Sequence, residues 1–574
     1  LAELSANRLA GAVPETSGYG PLATLLNEVG HKLKPKVRCV INPANRGAGI
    51  PDGGFFTASQ FQKGSAEPLS GQLPARGALE VKPVEADARV VAGSEQVRRY
   101  LEKYRQVLVT TYREFVLVGY DADGETRLLE SYSLAETELG FWTLATMPRK
   151  AATEHGERLF EFLRRCLLRQ APIATPQELA WFLASYAREA RARTEERDLP
   201  ALATTRAALE EALGMDFAGE KGEHFFRSTL VQTLFYGLFA AWVFWAEHHE
   251  HGDVAARFDW RTASRYLHIP ILQKLFYDFA NPAQLGALHL DEVLDWAGEA
   301  LNRVDRASFF ASFEQHHAVQ YFYEPFLEAF DPELRKELGV WYTPPEIVTY
   351  MVERVDQVLR SELRIADGLA DPRVVVLDPC CGTGAYLVEV LDRVARTLRE
   401  RGDDALLAHD LKEAAKSRVY GFEILPAPFV ISHLQIGMLL HRLGAPLSDE
   451  AGERAGVYLT NALTGWEPPT EPKQHLLFTE MEEERDKAEA VKQHAPILVI
   501  LGNPPYNGYP GVGVEEERQL TEAYRSSLRV AAPRGRGLND LYIRFLRMAE
   551  RRIVERSGKG VVCFISNNTW LDGL

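Results

Sequence analysis

The run Pro496-Ile497-Leu498-Val499-Ile500-Leu501-Gly502 leads into Asn503-Pro504-Pro505-Tyr506. A short apolar run that stops at a polar, proline-rich turn reads as a buried strand and the bend after it. The chemistry such a turn could do is specific. An exocyclic amine on a heteroaromatic ring is a poor nucleophile, because its lone pair is delocalised into the ring. The side-chain oxygen of Asn503 and the carbonyl of Pro504 could each accept one N–H bond from it. That would pull the nitrogen toward tetrahedral geometry and free the lone pair for attack on a sulfonium methyl. The prolines fix the turn so that both acceptors point the same way. Tyr506 could stack on a base swung out of a duplex.

A second group of residues precedes this one. The strand-like Val374-Val375-Val376-Leu377-Asp378 runs into Pro379-Cys380-Cys381-Gly382-Thr383-Gly384, and a helical pattern follows. Glycines at such a turn let the backbone approach a ligand closely. The third glycine of the dinucleotide fingerprint and the Lys-Ser/Thr of a P-loop are both missing, which disfavours NAD and ATP. The next strand-like run, Val419 to Phe422, ends at Glu423, an acidic residue that could accept hydrogen bonds from two ribose hydroxyls. A third, Val457 to Leu459, ends near Asn461. That residue reads equally as a contact to an adenine ring edge or as a turn residue.

Taken in order, these motifs resemble the gamma class of amino-methyltransferases, and DNA adenine-N6 methyltransferases in particular. Trp341-Tyr342-Thr343-Pro344-Pro345-Glu346 is similar to the family motif that comes just before the glycine turn, and Asn539-Asp540-Leu541-Tyr542 to the one after the catalytic turn. The resemblance spans roughly residues 338–574. It implies S-adenosylmethionine as cofactor, with Thr343 at its methionine part and Glu423 at its ribose. Asp378, Cys380, Gly382, Asn461 and Asn503 would line the cofactor cleft, and Asp540 would lie beside the methionine or target pocket. Cys380 and Cys381 read as packing residues, since amine methylation needs no thiol nucleophile. The implied partner is double-stranded DNA with a flipped adenine. A cytosine-N4 or RNA substrate goes more often with Ser or Asp at the first position of the turn. The family sheet continues with two more strands and a target-recognition domain; neither follows Ile565, so a longer protein is expected.

A third constellation lies near the N-terminus. Pro51-Asp52 is followed, after an insertion, by Glu80-Val81-Lys82. Two carboxylates at the mouth of a small sheet can hold Mg²⁺, and a neighbouring Lys can orient a water. Gln96 and Tyr100 fall on one helix face, at i and i+4. This resembles the PD-(D/E)xK nucleases that carry a Gln-xxx-Tyr helix. The resemblance implies catalytic roles for Asp52, Glu80, Lys82 and Gln96, with Asp52 and Glu80 as metal ligands. Glu15 is either a further ligand or a helix cap. His248-His249-Glu250-His251 reads as a solvated helix end, because three histidines so close on a helix cannot all face one ion.

The elements that must position these groups fall into three stretches of the 574-residue chain. Residues 1–165 read as a small α/β nuclease-like domain, with strands at Val37–Ile41, Ala78–Lys82, Gln106–Thr111 and Phe115–Tyr120. Residues 166–325 read as an α-helical connector. Residues 326–574 alternate strands and helices, the pattern of a Rossmann-like methyltransferase sheet. The apolar run Leu230–Ala246 is rather short for a membrane span and reads as a buried helix, so no membrane partner is expected. Five cysteines without CxxC spacing fit a reducing, cytoplasmic setting. The net charge of −15 argues weakly against nucleic acid. It does not report patches, and Arg534, Arg536, Arg544, Arg547, Arg551, Arg552 and Arg556 form either a phosphate-binding patch or a solvated face. The combined expectation is a single-chain restriction–modification protein of type IIG or type ISP kind, joining adenine methylation to Mg²⁺-dependent DNA cleavage. The alternative is the methyltransferase of a multi-gene phage-defence system with an inactive N-terminal domain.

Overall fold

The computed structural model describes the chain apart from residues 14–15, 44–46, 48, 62–71, 122–123, 196–202, 214–216, 250–255, 268, 282–284, 287, 316–317, 333–342, 403–405, 449–451, 468–478, 506–514, 526–539 and 567–574. It divides into two compact units, Leu1–Ile173 and Ala174–Leu574. The boundaries expected at 165 and 325 both fall inside helices, Pro148–Leu168 and Ala318–Phe330.

In the first unit, β1 (Val37–Ile41), β2 (Gly53–Thr57), β3 (Ala78–Val81), β4 (Gln106–Thr110), β5 (Glu114–Tyr120) and β6 (Thr126–Ser133) form one sheet in sequence order. All neighbours are antiparallel except β3 and β4, which run parallel with Glu80 opposite Val109. The helix Glu95–Tyr104 makes that crossover. Ser94 caps it, accepting from the Val97 amide. The helix Tyr19–His31 buries Leu22, Leu26 and Val29 in the same core as Leu79, Val81 and Leu108. β2 and β6 lie outside the strands read from the sequence. β2 opens with Gly53-Gly54, and glycine weakens a strand signal. The packing calls for it here: a Cβ on Gly54 would come within 2.7 Å of Pro74.

The second unit holds a five-stranded, wholly parallel sheet: β7 (Val375–Asp378), β8 (Val419–Glu423), β9 (Val457–Leu459), β10 (Ile497–Gly502) and β11 (Val561–Phe564), ordered β11-β10-β7-β8-β9. Helices Ala385–Glu400 and Pro426–Arg442 follow β7 and β8. The order reverses at β7, so the crevice beyond the carboxyl ends of β7 and β10 is a switch point of the kind where ligands bind. The apolar run at Leu230–Ala246 lies in the helix Gly219–His248. By length and composition this helix could cross a membrane, but 94% of its most apolar window is buried within the protein.

Candidate functional site

β7 delivers Asp378 fully buried at the floor of the crevice. Its Oδ1 accepts from the Cys380 amide at 3.1 Å, while Oδ2 accepts no hydrogen bond among the described residues. Burial pushes this carboxyl up to about 7, against the pull of the Cys380 amide and with a further push from Glu423. Gly382 and Gly384 in the following turn have φ of 53° and 87°, a left-handed conformation natural to glycine. A Cβ added at Gly382 would meet nothing within 4 Å, so the turn opens onto free space there.

Glu423, at the end of β8, clasps this turn. One carboxylate oxygen accepts from the Gly382 amide at 2.9 Å, and the other from the amides of Ile424 and Leu425 at 2.9 and 2.8 Å. Burial raises its carboxyl to about 7, although all three amides favour the charged form. The neighbouring thiols of Cys380 and Cys381 are pushed well above their ordinary range, by burial first and by Asp378 and Glu423 next. They stay protonated, as packing residues would.

At the end of β10, the Asn503 side chain donates through Nδ2 to Thr343 Oγ1 at 3.2 Å. Thr343 is itself buried, just ahead of the helix Pro345–Ser361. Thr343, Cys380, Gly382 and Asn503 line one cavity, together with Thr383, Tyr386, Pro428, Tyr323 and Glu324. Asp378 and Glu423 sit behind its wall, each bonded to the turn that forms it. Tyr323 and Glu324 come from a helix that the sequence assigns to the connector, and no motif marks them. Pro504 lies in the described turn; Tyr506, Trp341, Tyr342 and Asn539 lie outside the described residues.

Asn461 is placed differently. Its Oδ1 accepts from the Leu463 amide at 2.9 Å and its Nδ2 reaches Glu517 at 3.5 Å, the geometry of a side chain capping its own turn. The buried Lys492 holds the same turn, donating to Thr460 Oγ1 at 2.8 Å and to the Asn461 carbonyl at 2.7 Å. Asp540 precedes the helix Leu541–Glu550 without a side-chain cap bond.

Several members of the arginine cluster are engaged within the protein. Arg544 pairs with Glu517, Arg547 with Glu550 and Glu555, and Arg551 with Glu467; Arg552 and Arg556 donate to the carbonyls of Ala495 and Gln493. Arg534 and Arg536 lie outside the described residues. His249 stacks on Trp245 and bonds its carbonyl at a helix end, while Glu250 and His251 are not described.

In the first unit the separate sequence elements meet. Gly53 pairs with Leu79 in the antiparallel β2–β3 register, which carries Asp52 to the position opposite Glu80. The Val81 amide donates to Asp52 Oδ2 at 2.7 Å, and Lys82 Nζ to Glu80 Oε1 at 2.6 Å. On the crossover helix, Gln96 Nε2 donates to the Tyr100 hydroxyl at 3.1 Å, and that hydroxyl donates to the Ile50 carbonyl at 2.9 Å. The Tyr100 phenol is raised by burial, eased by Gln96, raised again by Glu80 and Asp52 and lowered by Lys82, which places all five groups in one electrostatic neighbourhood. Among the described residues, no group of three or more His, Cys, Asp or Glu is arranged to hold a metal. Two carboxylates still fit Mg²⁺, which keeps several waters and is commonly held by one or two carboxylates. Glu15 is not described.

Residues 314–537 match the family of N-6 DNA methylases. The methylase subunit of the Type I restriction enzyme EcoEI from Escherichia coli is 24% identical over 246 residues, 43% of this chain and 37% of that protein. A cryo-EM structure of a DrdV–DNA complex aligns over 100% of this chain and 51% of its own, at 20% identity and a TM-score of 0.47. The ATP-dependent Type ISP restriction–modification enzyme LlaBIII bound to DNA aligns over 76% of this chain and 27% of its own, at 19% identity and a TM-score of 0.47. The chain thus spans little more than a third of the EcoEI subunit and about half of the DrdV chain.

Proposed function

We propose that the second unit transfers a methyl group to adenine N6 in double-stranded DNA, using S-adenosylmethionine, within a restriction–modification protein. The observation that carries this reading is the bond between Asn503 and Thr343. Because Nδ2 is spent on Thr343, the carboxamide oxygen of Asn503 is turned away from it as an acceptor. That oxygen and the Pro504 carbonyl would take the two N–H bonds of a flipped adenine and localise its lone pair. Tyr506, next in sequence but one, is assigned the face of the base.

The residues present fit the cofactor. Among the described residues Asp378 Oδ2 is buried without a hydrogen bond, the Gly382 turn opens onto free space, and both carboxylates lie against that turn. Asp378 and Glu423 would receive its polar groups, Glu423 those of the ribose, with Thr343, Cys380 and Gly382 along the wall. When bound, the cofactor supplies a methyl group on a sulfonium centre. Asn461 would reach an adenine edge only if its turn rearranged.

The first unit is read as a Mg²⁺-dependent nuclease. Asp52 and Glu80 would hold the ion, Lys82 would orient the attacking water, and Gln96 would position Tyr100 beside them. What supports this is the convergence of these side chains from three separate elements.

The test of the methyltransferase reading is transfer of tritiated methyl from S-adenosylmethionine to unmodified DNA. Transfer by the wild type and its loss in Asn503→Ala is the expected result. Undiminished transfer by Asn503→Ala would remove Asn503 from the mechanism.

A further inference from the structure

Asp52 is gripped from two sides. The Val81 amide holds one carboxylate oxygen, and the hydroxyl of Tyr19 donates to the other at 2.6 Å. Tyr19 belongs to none of the motifs in the sequence; it is the first residue of the helix Tyr19–His31.

The placement of that helix is fixed by three independent contacts. Gly18, just before Tyr19, lies against the Tyr112 ring so closely that a Cβ would fall 2.4 Å from Cζ. Tyr112 occupies the tight β4–β5 turn at a φ of 63°, its amide donating to Thr110 Oγ1. About two turns further on, the Asn27 carboxamide accepts from the Cys39 amide at 2.9 Å and donates to the Cys39 carbonyl at 3.2 Å. Near the helix end, Gly30 sits directly over the Val37 carbonyl. The phenol is therefore aimed by the helix, and the helix by β1 and the β4–β5 turn.

We propose that Tyr19 is a positioning residue of the metal site, setting the orientation in which Asp52 presents an oxygen to a divalent cation. This rests on the nuclease reading of the first unit. Each Asp52 oxygen keeps a lone pair beyond its present bond. The two donors stop the carboxylate from rotating, so the remaining lone pairs point in fixed directions beside Glu80. Groups that orient a metal ligand in this way commonly change metal affinity by about 10–100-fold when removed.

Mn²⁺ is the probe, titrated into the full chain, with free Mn²⁺ read by electron paramagnetic resonance and bound Mn²⁺ by water-proton relaxation. Tyr19→Phe removes only the hydroxyl. It should weaken Mn²⁺ binding about tenfold or more and raise the relaxation enhancement, as a water takes the place of an Asp52 oxygen. The metal-free thermal midpoint should stay near that of the wild type. Asp52→Ala is the control for the underlying reading. If it binds Mn²⁺ like the wild type, the metal site itself is refuted. If Asp52→Ala loses binding while Tyr19→Phe matches the wild type in affinity and relaxation, the metal site stands and the role of Tyr19 is overturned. Should Tyr19→Phe melt early, Leu144→Ala, which lowers the stability of the same core from the helix Glu138–Ala145 and leaves the Tyr19–Asp52 bond in place, separates the two effects. An equal loss of affinity in Leu144→Ala and Tyr19→Phe would also overturn the proposal.

Discussion

The Asn503 carboxamide and the Thr343 hydroxyl, 160 residues apart in the chain, are joined by a 3.2 Å hydrogen bond. Under the proposed mechanism it would make Thr343 part of the amine-activating geometry as well as of the cavity wall. A neutral hydrogen bond contributes about 0.5–1.5 kcal/mol, so Thr343→Val should lower the methyl-transfer rate about twofold to tenfold. Thr343→Ser, which keeps the hydroxyl, should restore most of it. Single-turnover transfer at saturating cofactor measures this; equal rates for Val and Ser at position 343 would mean that the bond does not act on the chemistry.

Cofactor binding should depend on pH through Glu423. Burial raises the carboxyls of Glu423 and Asp378 to about 7, so both bind protons in the folded protein at pH values where the unfolded chain has lost them. Their contribution to stability is complete below the ordinary carboxylate range and is lost as pH rises through about 7. Ribose hydroxyls donating to Glu423 favour its charged form. Binding should therefore tighten as pH rises toward 7 and level off above it, with up to about a tenfold change per pH unit on the acid side. Calorimetric titration with S-adenosylmethionine between about pH 5.5 and 8.5 follows the group through its transition. A flat profile would mean that Glu423 does not change protonation on binding.

The cleavage and methylation sites should be separable. Glu80→Gln keeps the size of the side chain and removes its charge. Mg²⁺-dependent cleavage of unmodified DNA should disappear, while tritiated methyl transfer stays within about twofold of the wild type if the two sites act independently. If wild type and Glu80→Gln cleave equally, Glu80 is not part of a nuclease. If neither cleaves, the first unit serves another purpose.

Gly502 tests how closely the sheet end is packed. An added Cβ would lie 2.5 Å from Asp378 Oδ1 and 3.3 Å from Cys380 Sγ. Overpacking of this kind costs about 1–3 kcal/mol, so Gly502→Ala should lower the thermal midpoint and weaken cofactor binding together. A variant with unaltered midpoint and affinity would show that Asp378 moves freely.

The strands that carry the sites were legible because they are apolar runs ending in polar residues: β7 at Asp378, β8 at Glu423, β10 before Asn503. β2 and β6 were not, the first because paired glycines mask it and the second because Thr126, Arg127, Glu130 and Ser131 dilute its alternation. Residue types also suggest Asp52, Glu80, Lys82, Gln96 and Tyr100 as a set, but not Tyr19, the hydrogen-bond partner of Asp52, a single aromatic at a helix start. Tyr323 and Glu324 were hidden for a similar reason, since helical periodicity shows which face is buried but not what lies across from it. For the arginine cluster, the ion pairs depend on Glu467, Glu517, Glu550 and Glu555, and only folding brings them together. Asn461 could be read two ways from sequence; local turn chemistry decides its position.

The long apolar helix Gly219–His248 bears on how such a protein can be recombined. Phe239 stacks on Phe322, and Tyr236 packs edge-on to Phe322 and tilted against Phe326, on the helix that also brings Tyr323 and Glu324 to the cavity. A chimaera joined at residue 325 would cut that helix and strip a membrane-like segment of its cover. One joined between Ile173 and Ala174 leaves the cover in place. The piece of this chain to exchange is therefore the parallel sheet together with its helical stretch.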